Sequence, residues 1–245
     1  MAKFLIGTSG WVYKHWKGIF YPEGMPQSEW FGHYAKSFDT VEVNYSFYRL
    51  PSRRTFENWR EGAPPGFVFT VKANRYITHV KKLKDAGDAV KRFYENLYGL
   101  EDRCGAVLFQ LPPRWHANVE RLEEFLSLVP KRYRLVFEFR DESWLTQEVA
   151  DLLRRHNAAL CAADSPFRPG PRDVTADFVF YRMHGGHGRQ APSYGQKELR
   201  ALASEIAVHL AAGLDAFAYF NNDYGGVAVK NARALEAMLQ EKAGV

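Results

Sequence analysis

The alternation of two kinds of segment is the strongest constraint on the fold of this chain. Apolar runs of strand length alternate with amphipathic stretches of helix length along most of the 245 residues. This order is typical of repeated βα units around a parallel sheet. The predicted strands are Phe4–Thr8, Thr40–Asn44, Val68–Lys72, Ala106–Leu111, Leu135–Arg140, Leu160–Asp164, Phe178–His184 and Ala216–Asn221. The predicted helices are Pro26–Phe38, Arg53–Glu61, Ala89–Leu100, Val119–Val129, Leu145–His156, Lys197–Ala212 and Val227–Glu241.

Eight such strands predict a single α/β domain over residues 1–245, with the (β/α)8 TIM-type barrel as its fold. No GxGxxG motif follows the first strand, which argues against a doubly wound dinucleotide fold. The segment Ser165–Asp177 is short and rich in proline and glycine, so we expect no full helix between the sixth and seventh strands. Ser52 and Asn118 are predicted N-caps of the helices that follow them.

Composition limits the cellular setting and the partners. The 33 basic residues outnumber the 28 acidic ones by a margin that tolerates anionic partners without requiring them. Cys104 and Cys161 lack metal-site spacing, and two cysteines exclude a disulfide framework, which indicates a reducing compartment. The apolar run near the N-terminus is too short for a signal peptide or a membrane span. We therefore expect a soluble, cytoplasmic protein without a membrane partner.

Period-two alternation places a polar set of strand residues on the face opposite the helices. In the second strand, for example, Val41 and Val43 face the helices and Glu42 faces the other way. The sixth strand is the exception, since both of its faces are apolar. The axis-facing set crowds toward the carboxyl ends of the strands, where barrels build their sites, and comprises Glu42, Asn44, Lys72, Gln110, Glu138, Arg140, Asp164, Arg182 and His184.

Burial of so many charges costs several kcal/mol per ion unless the charges are paired or meet a ligand. One interpretation is structural: the three carboxylates of the set neutralise its lysine and arginines. The other is a functional site, which we favour because barrel cores are normally layers of branched aliphatic residues.

The cations of this set predict a small anionic ligand, foremost a phosphate ester. Lysine and arginine together form an anion clamp, and two glycine loops, His184–Gly188 and Asn221–Gly226, follow the strands where barrels often hold phosphate. The predicted substrate-binding residues are Lys72, Arg140, Arg182, Asn44, Gln110, Trp11, Tyr13, Tyr48, Tyr194, Gly185, Gly186, Asn221, Asn222 and Asp223.

Glu138 and His184 are the predicted acid/base pair, with Asp164 as a second carboxylate and Glu42 as a further catalytic candidate. We predict no cofactor. A divalent metal is an alternative, because carboxylates suit Mg²⁺ or Mn²⁺, although no HxH, HExxH or CxxC pattern is present.

Aromatic residues, 15% of the chain, cluster after the first two predicted strands. Trp11, Tyr13 and Trp16 follow the first strand, and Tyr45, Phe47 and Tyr48 follow the second. Such rings either stack on a base or sugar or seal the rim of the fold, and the sequence leaves both functions open.

Seven motifs extend from about Ile6 to about Leu235 and are specific in combination: GTSGWVYKHWKGIFYP, FDTVEVNYSFYRLP, FVFTVKAN, LFQLPP, FEFRDESW, YRMHGG and YFNNDYGGVAVKNA. Together they resemble the YecE-like family, a group with a domain of unknown function (DUF72). The resemblance implies a TIM-type barrel and leaves the activity open. It also implies a set of motif positions that largely coincides with the axis-facing set: Thr8, Ser9, Gly10, Trp11, Tyr13, Glu42, Asn44, Tyr48, Lys72, Gln110, Pro112, Glu138, Arg140, Trp144, Asp164, Arg182, His184, Gly185, Tyr194, Asn221, Asn222 and Asp223. Asp141 departs from the histidine expected after the arginine of this pattern, so no proton-transfer role is assigned to it.

Two functions of different classes follow. The first is an enzyme, a hydrolase or an isomerase, that acts on a phosphorylated or otherwise anionic substrate at the carboxyl ends of the strands. The alternative is a non-catalytic module that binds nucleic acid or a protein, through the same pocket or through basic residues on the surface. Those basic residues are Arg53, Arg54, Lys81, Lys82 and Lys84.

Overall fold

The computed structural model describes residues 2–164, 172–185 and 193–243, and within them the fold is α/β with two parallel sheets. The strands, numbered along the chain, are β1 (Phe4–Thr8), β2 (Thr40–Val43), β3 (Val68–Lys72), β4 (Cys104–Gln110), β5 (Arg134–Glu138), β6 (Ala158–Leu160), β7 (Ala162–Asp164), β8 (Phe178–Met183) and β9 (Asp215–Phe220). One sheet has the order β1-β9-β8-β7, and the other has the order β2-β3-β4-β5-β6. The α/β class is thereby confirmed, whereas a closed eight-stranded barrel is not shown and stays a prediction.

The helices follow the strands as the alternation predicts. They are α1 (Trp30–Tyr34), α2 (Tyr45–Tyr48), α3 (Arg53–Gly62), α4 (Gly87–Leu97), α5 (Val119–Leu128), α6 (Gln147–Arg155), α7 (Gln196–Ala211) and α8 (Val227–Ala243). A π-helical segment covers Tyr76–Val80, and 3-10 turns cover Lys14–Trp16, Gln27–Glu29, Tyr98–Arg103, Glu142–Trp144 and Tyr224–Gly226.

Both predicted N-caps are confirmed. The Ser52 hydroxyl accepts a hydrogen bond from the Thr55 N–H at 3.2 Å, and the Asn118 side chain accepts one from the Arg121 N–H at 2.8 Å. Each cap satisfies a backbone donor that has no partner inside its helix.

Two predicted elements were wrong. The sixth strand is interrupted at Cys161 and forms β6 and β7, which lie in different sheets. The Cys161 N–H still bonds to the Phe137 carbonyl at 2.8 Å, whereas Ala162 pairs with Tyr181. Because both faces of this run are apolar, alternation gave no signal of the break. The helix predicted over Pro26–Phe38 is a 3-10 turn followed by the five-residue α1.

The chain divides into two compact units, and the boundary falls within β2 and again after Cys161. Of the described residues, the first unit holds those up to Glu42, those from Ala162 to Asp164, and those from Phe178 onward. The second unit holds 43–161 and 172–177. Residues 165–171, which include most of the segment between the sixth and seventh predicted strands, lie outside the described part of the chain.

Aromatic packing fills the first unit. The Tyr21 and Trp30 rings stack at 4.7 Å between centroids, and both residues are buried. Gly7 of β1 lies against the Thr40 carbonyl so closely that a Cβ atom would collide with it, so only glycine fits at this position.

The second unit shows the predicted separation of strand faces. Phe109 of β4 packs against Phe125 of α5 at 5.1 Å, so this face of the strand meets the helices. At the β6 edge of the sheet, the buried Thr175 hydroxyl accepts from the Leu160 N–H at 2.8 Å and donates to the Ala158 carbonyl at 2.7 Å. One side chain therefore replaces a neighbouring strand along this short edge.

Candidate functional site at the strand ends

In the first unit, Arg182 of β8 forms a bidentate ion pair, with two hydrogen bonds, to Glu42 of β2. Its Nε lies 2.9 Å from Glu42 Oε2, and its Nη2 lies 2.7 Å from Oε1. Both side chains are buried, with at most 1% of their surface exposed. Such a fork satisfies both carboxylate oxygens, which is what burial of two charges requires.

His184 follows directly after this pair in the chain. Its Nε2 lies 3.5 Å from Arg182 Nη1, and its Nδ1 lies 3.1 Å from the Asn221 side-chain nitrogen. The His184 N–H donates to the Asp164 carbonyl at 2.9 Å, which fixes the backbone at the end of β8. The ring is half-buried at a strand end, a position from which it can exchange a proton with a bound molecule.

Tyr194 connects several of the predicted residues. Its hydroxyl accepts from the Gly185 N–H at 3.0 Å and is hydrogen-bonded to the Asp164 carboxylate. Burial is the main cause that raises the pKa of Tyr194, and Asp164 raises it further, since the bond favours the protonated phenol.

Asn231 of α8, which sequence reasoning did not single out, links Tyr194 to Asn222. The Asn231 Oδ1 accepts from the Tyr194 N–H at 3.2 Å and from the Asn222 side chain at 3.0 Å. Gly186, the neighbour of Gly185, lies outside the described residues.

The aromatic residues after β1 lie in differing environments. Trp11 is 9% exposed and packs on Phe31 at 5.3 Å, whereas the Tyr13 hydroxyl donates to the Ser9 carbonyl at 2.5 Å. Trp16 is fully buried, and its indole donates to the Asp223 carbonyl at 2.7 Å. The contacts of Trp11 and Trp16 favour sealing over stacking.

The second unit presents a different set of polar groups. Glu138 at the end of β5 is 2% exposed, and its Oε1 accepts from Gln110 Nε2 at 2.8 Å and from Arg140 Nε at 3.0 Å. Gln110 and Glu138 are register partners in β4 and β5, so they lie on the same face. This contact confirms the predicted separation of strand faces. The Arg140 side chain is 43% exposed, and its Nη groups make no hydrogen bond to any residue that the structure describes.

Lys72, at the end of β3, is 8% exposed and is held by the segment after β2. Its Nζ lies 4.1 Å from the centre of the Phe47 ring, and its carbonyl accepts from the Ser46 hydroxyl at 2.6 Å. Asn44 is half-buried beside this segment, and Tyr48 is 73% exposed, with its ring edge-on to Phe47 at 5.0 Å.

His79, a residue that sequence reasoning missed, lies in the π-helical segment of the second unit. Its Nδ1 is 2.9 Å from the Thr78 hydroxyl, and its ring meets Phe47 edge-on at 4.9 Å. Burial lowers the pKa of His79 to about 4, and the positive charges of Lys72, Arg75 and Arg140 act in the same direction. The negative charge of Glu138 opposes them. The available signal was a histidine seven residues after Lys72, but strand alternation does not extend into the π-helical segment that holds it.

Asp141, the position that departs from the family pattern, caps the turn after Arg140. Its Oδ1 accepts from the Ser143 N–H at 3.1 Å and from the Ser143 hydroxyl at 2.6 Å. These bonds are the main cause that lowers the pKa of Asp141. Asp141 therefore has a local structural role, which is to hold the turn at Ser143.

The predicted site residues that the structure describes divide between the two units. Glu42, Asp164, Arg182, His184, Tyr194, Asn221 and Asn222 belong to the first unit, with Trp11, Tyr13, Gly185 and Asp223; Asn44, Tyr48, Lys72, Gln110, Glu138 and Arg140 belong to the second. The predicted acid/base partners Glu138 and His184 therefore belong to different units, and their pairing stays a prediction.

Within the described part of the chain, no group of three or more His, Cys, Asp or Glu side chains is arranged to hold a metal ion. No helix in the same residues has the length and apolar character needed to cross a membrane.

Parallel sheets with charged groups at the carboxyl ends of their strands define an α/β protein with a polar strand-end site. The chain belongs to the family described as "Protein of unknown function DUF72", whose model matches residues 5–245. This result confirms the resemblance seen in the sequence motifs.

The chain is similar to proteins from two bacteria. The chain is 29% identical to the UPF0759 protein YecE of Escherichia coli (strain K12) over 136 residues, which are 55% of this chain and 47% of YecE. The match thus spans about half the length of that relative. The chain is 23% identical to the UPF0759 protein YunF of Bacillus subtilis (strain 168). The alignment covers 96% of this chain and 94% of YunF.

Solved structures agree with the fold. A DUF72 family protein from Thermotoga maritima MSB8 superposes with a TM-score of 0.86 at 32% identity, and the alignment covers 97% of this chain and 99% of that one. A DUF72 family protein from Enterococcus faecalis V583 has a TM-score of 0.78 at 18% identity, with 100% and 99% of the two chains covered, and supports the fold alone.

Proposed function

We propose that this chain is an enzyme that applies acid/base chemistry to a phosphorylated or otherwise anionic substrate, bound at the strand ends of the second unit. One observation carries the proposal: three cations, Lys72, Arg75 and Arg140, act on the half-buried His79 ring, and the Glu138 carboxylate opposes them. Burial is the largest cause that lowers the pKa of His79 to about 4, and these positive charges lower it further. Where positive charge exceeds negative charge beside a half-buried ring, an anion is the ligand that relieves the excess.

The two strand-end cations suit complementary parts of such a ligand. The Arg140 guanidinium uses its Nε for Glu138, so its two Nη groups remain for a planar, two-point contact with a phosphate or carboxylate. Lys72 supplies a compact charge whose position is set by the Phe47 ring, at 4.1 Å.

The same place supports proton transfer. Because its pKa is about 4, His79 is neutral at pH 7. A bound anion raises this pKa toward its ordinary value and so strengthens His79 as an acceptor of a proton from a substrate hydroxyl or water. Glu138 is the nearby carboxylate candidate, oriented by Gln110 and Arg140. Hydrolysis and isomerisation both use such a pair. His184, held by Asn221 in the first unit, is retained as a second candidate base.

NMR titration of the His79 imidazole with and without inorganic phosphate tests the proposal. Bound phosphate offsets the positive charges, so we expect it to raise the pKa of His79 from about 4 toward its ordinary value. The imidazole resonance that is missing from the spectrum of the variant His79→Gln is assigned to His79.

Lys72→Met should raise the pKa of His79 before phosphate is added and weaken the phosphate response. Lys84→Met is the matched control, since this exposed lysine is not among the groups that shift His79. A His79 pKa that does not respond to phosphate, together with no phosphate binding by calorimetry, contradicts the proposal.

The alternative, a non-catalytic module that binds nucleic acid or a protein, uses charge without turnover. Its surface candidates Arg53 and Arg54 already form ion pairs with Glu57, at 3.2 and 3.6 Å, which reduces the positive charge they offer to a partner. A steep salt dependence of oligonucleotide binding, lost on replacement of these residues, would favour the alternative.

A further inference from the structure

A cavity of about 690 Å³ lies in the second unit around Tyr76, the first residue of the π-helical segment. Its wall includes Arg49, Tyr76, Lys81 and Arg92, and none of Lys72, His79, Glu138 or Arg140 lines it. The volume lies within the range of small-molecule sites, which is roughly 300–1,000 Å³.

The wall is built from fixed backbone. The Asn74 side chain donates to the Ser46 carbonyl at 3.0 Å, and its oxygen accepts from the Tyr76 N–H, also at 3.0 Å. These bonds fix the start of the π-helical segment. π-Helical turns are rare and occur frequently at functional sites.

The loop after this segment holds three non-glycine residues in the left-handed region: Lys82 (φ 47°), Leu83 (φ 64°) and Asp85 (φ 47°). Leu83 is 2% exposed, so the burial of its side chain anchors a backbone conformation that costs about 1–3 kcal/mol per residue. Strain of this kind persists where the surrounding structure requires it, and it clusters at ligand sites.

Charged groups in the wall are available to a ligand. Among the residues that the structure describes, the side chains of Arg49, Arg92 and Asp88 form no hydrogen bond or ion pair. Lys81 donates to the Asp85 carbonyl at 2.9 Å, and its Nζ lies 5.8 Å from the centre of the Tyr76 ring. The Tyr76 residue is 49% exposed.

We infer that this cavity is a second ligand site, specific for a nucleoside phosphate, either free or within a nucleic-acid strand. Arg49 and Arg92 bind the phosphate, because guanidinium groups match its oxygens in a two-point geometry. The exposed Tyr76 ring stacks on the base, and the Asp85 and Asp88 carboxylates accept hydrogen bonds from ribose hydroxyls or base amino groups.

Isothermal titration calorimetry at fixed salt tests this site with AMP, adenosine, inorganic phosphate and a short single-stranded oligonucleotide. We expect AMP or the oligonucleotide to bind at least tenfold more tightly than adenosine or phosphate alone, since only they present both the ring and the charge. Tighter binding of AMP identifies a free nucleotide as the ligand, whereas tighter, steeply salt-dependent binding of the oligonucleotide identifies a strand.

Tyr76→Ala and Arg92→Ala should each lower the affinity for AMP about tenfold. Lys84→Ala removes an exposed charge of the same loop that does not line the cavity, and should change the affinity less than about twofold. Circular dichroism and melting curves check that each variant folds. If Arg92→Ala does not fold, Arg49→Ala takes its place in the test.

Failure of AMP and the oligonucleotide to bind overturns the inference, as does binding that Tyr76→Ala and Arg92→Ala leave unchanged. His79→Gln separates the two sites: it should leave AMP binding at this cavity intact, even if it abolishes the phosphate response at the strand ends. The inference of a second site is therefore tested independently of the proposed enzymatic function.

Discussion

The two arginine–carboxylate pairs at the strand ends differ in burial and in the way the arginine is used. Arg182 and Glu42 are at most 1% exposed and are joined by two short bonds. Arg140 is 43% exposed, whereas Glu138 is 2% exposed, and one contact of 3.0 Å joins them. In the first pair, two nitrogens of the Arg182 guanidinium bond to Glu42. In the second pair, the bond to Glu138 comes from the Arg140 Nε, so the Nη groups are left for a ligand. In our proposal, the same two residue types serve structure in one unit and binding in the other.

The largest expected difference is in stability. Arg182→Ala leaves the Glu42 carboxylate buried without its partner and should reduce the free energy of unfolding by about 3–5 kcal/mol. Urea denaturation measures the change. Arg140→Ala is the comparison, and it should cost less than Arg182→Ala, because Glu138 keeps its hydrogen bond from Gln110 and the Arg140 side chain is 43% exposed to water. Equal losses for the two variants would remove the distinction between the pairs.

Glu138→Gln should lower turnover about 100-fold or more while anion affinity is retained, since the amide keeps the shape of the side chain but cannot transfer the proton. Steady-state kinetics on a phosphate ester found by screening, with phosphate binding measured in parallel, provide the two values. Glu142→Gln, an exposed neighbour after the same strand, is the control. Unchanged turnover rules out Glu138 as the acid/base residue.

His79 gives a stability effect whose sign is set by its pKa. The folded value of about 4 lies below the ordinary 6.5, so the unfolded chain binds more protons between these values. Its neutral form stabilises the fold above pH 6.5, and this stability is lost as the pH falls through 4. Relative to the wild type, His79→Gln should therefore reduce the pH dependence of unfolding by about 2 kcal/mol, after allowance for solvent screening.

Urea titrations at several pH values from neutral to acid measure this difference. His156→Gln is a matched control, because burial also lowers the pKa of that histidine, with Lys131 as the next cause, at a place remote in sequence from the cations around His79. A pH dependence of unfolding that His79→Gln leaves unaltered would show that the pKa of His79 is not lowered in the folded protein.

Arg140→Ala gives the smallest of these effects and sharpens the comparison most directly. Loss of the available Nη donors should weaken phosphate binding about tenfold. Calorimetry at two salt concentrations measures it, with Arg200→Ala as a control on an exposed arginine of α7. If phosphate affinity is unaffected, the exposed half of the second pair has no ligand-binding role.

Local patterns made much of the fold predictable. β1 and β3 match their predicted bounds, and α3 extends one residue beyond its predicted end. Ser52 and Asn118 marked helix starts because capping is a local interaction. The break at Cys161 was not predictable, since it depends on which neighbouring strand each side of the residue meets.

The site was predictable only as far as strand alternation reaches. Alternation placed Gln110 with Glu138 and Glu42 with Arg182 on the axis-facing side, and both pairs are in contact. It could not indicate which carboxylate bonds to which cation. His79 was missed because it belongs to a π-helical turn and acquires its low pKa from burial and from charges on other segments.

Thr175 has a consequence for how the sheet of the second unit ends at β6. The outer edge of a sheet presents free N–H and C=O groups to which a strand of another molecule can add, and this addition is a common first step toward aggregates. In β6, the Thr175 hydroxyl occupies both the Leu160 N–H and the Ala158 carbonyl. A single buried hydroxyl therefore satisfies two backbone groups that a further strand would otherwise pair with, and it does so without adding length to the sheet.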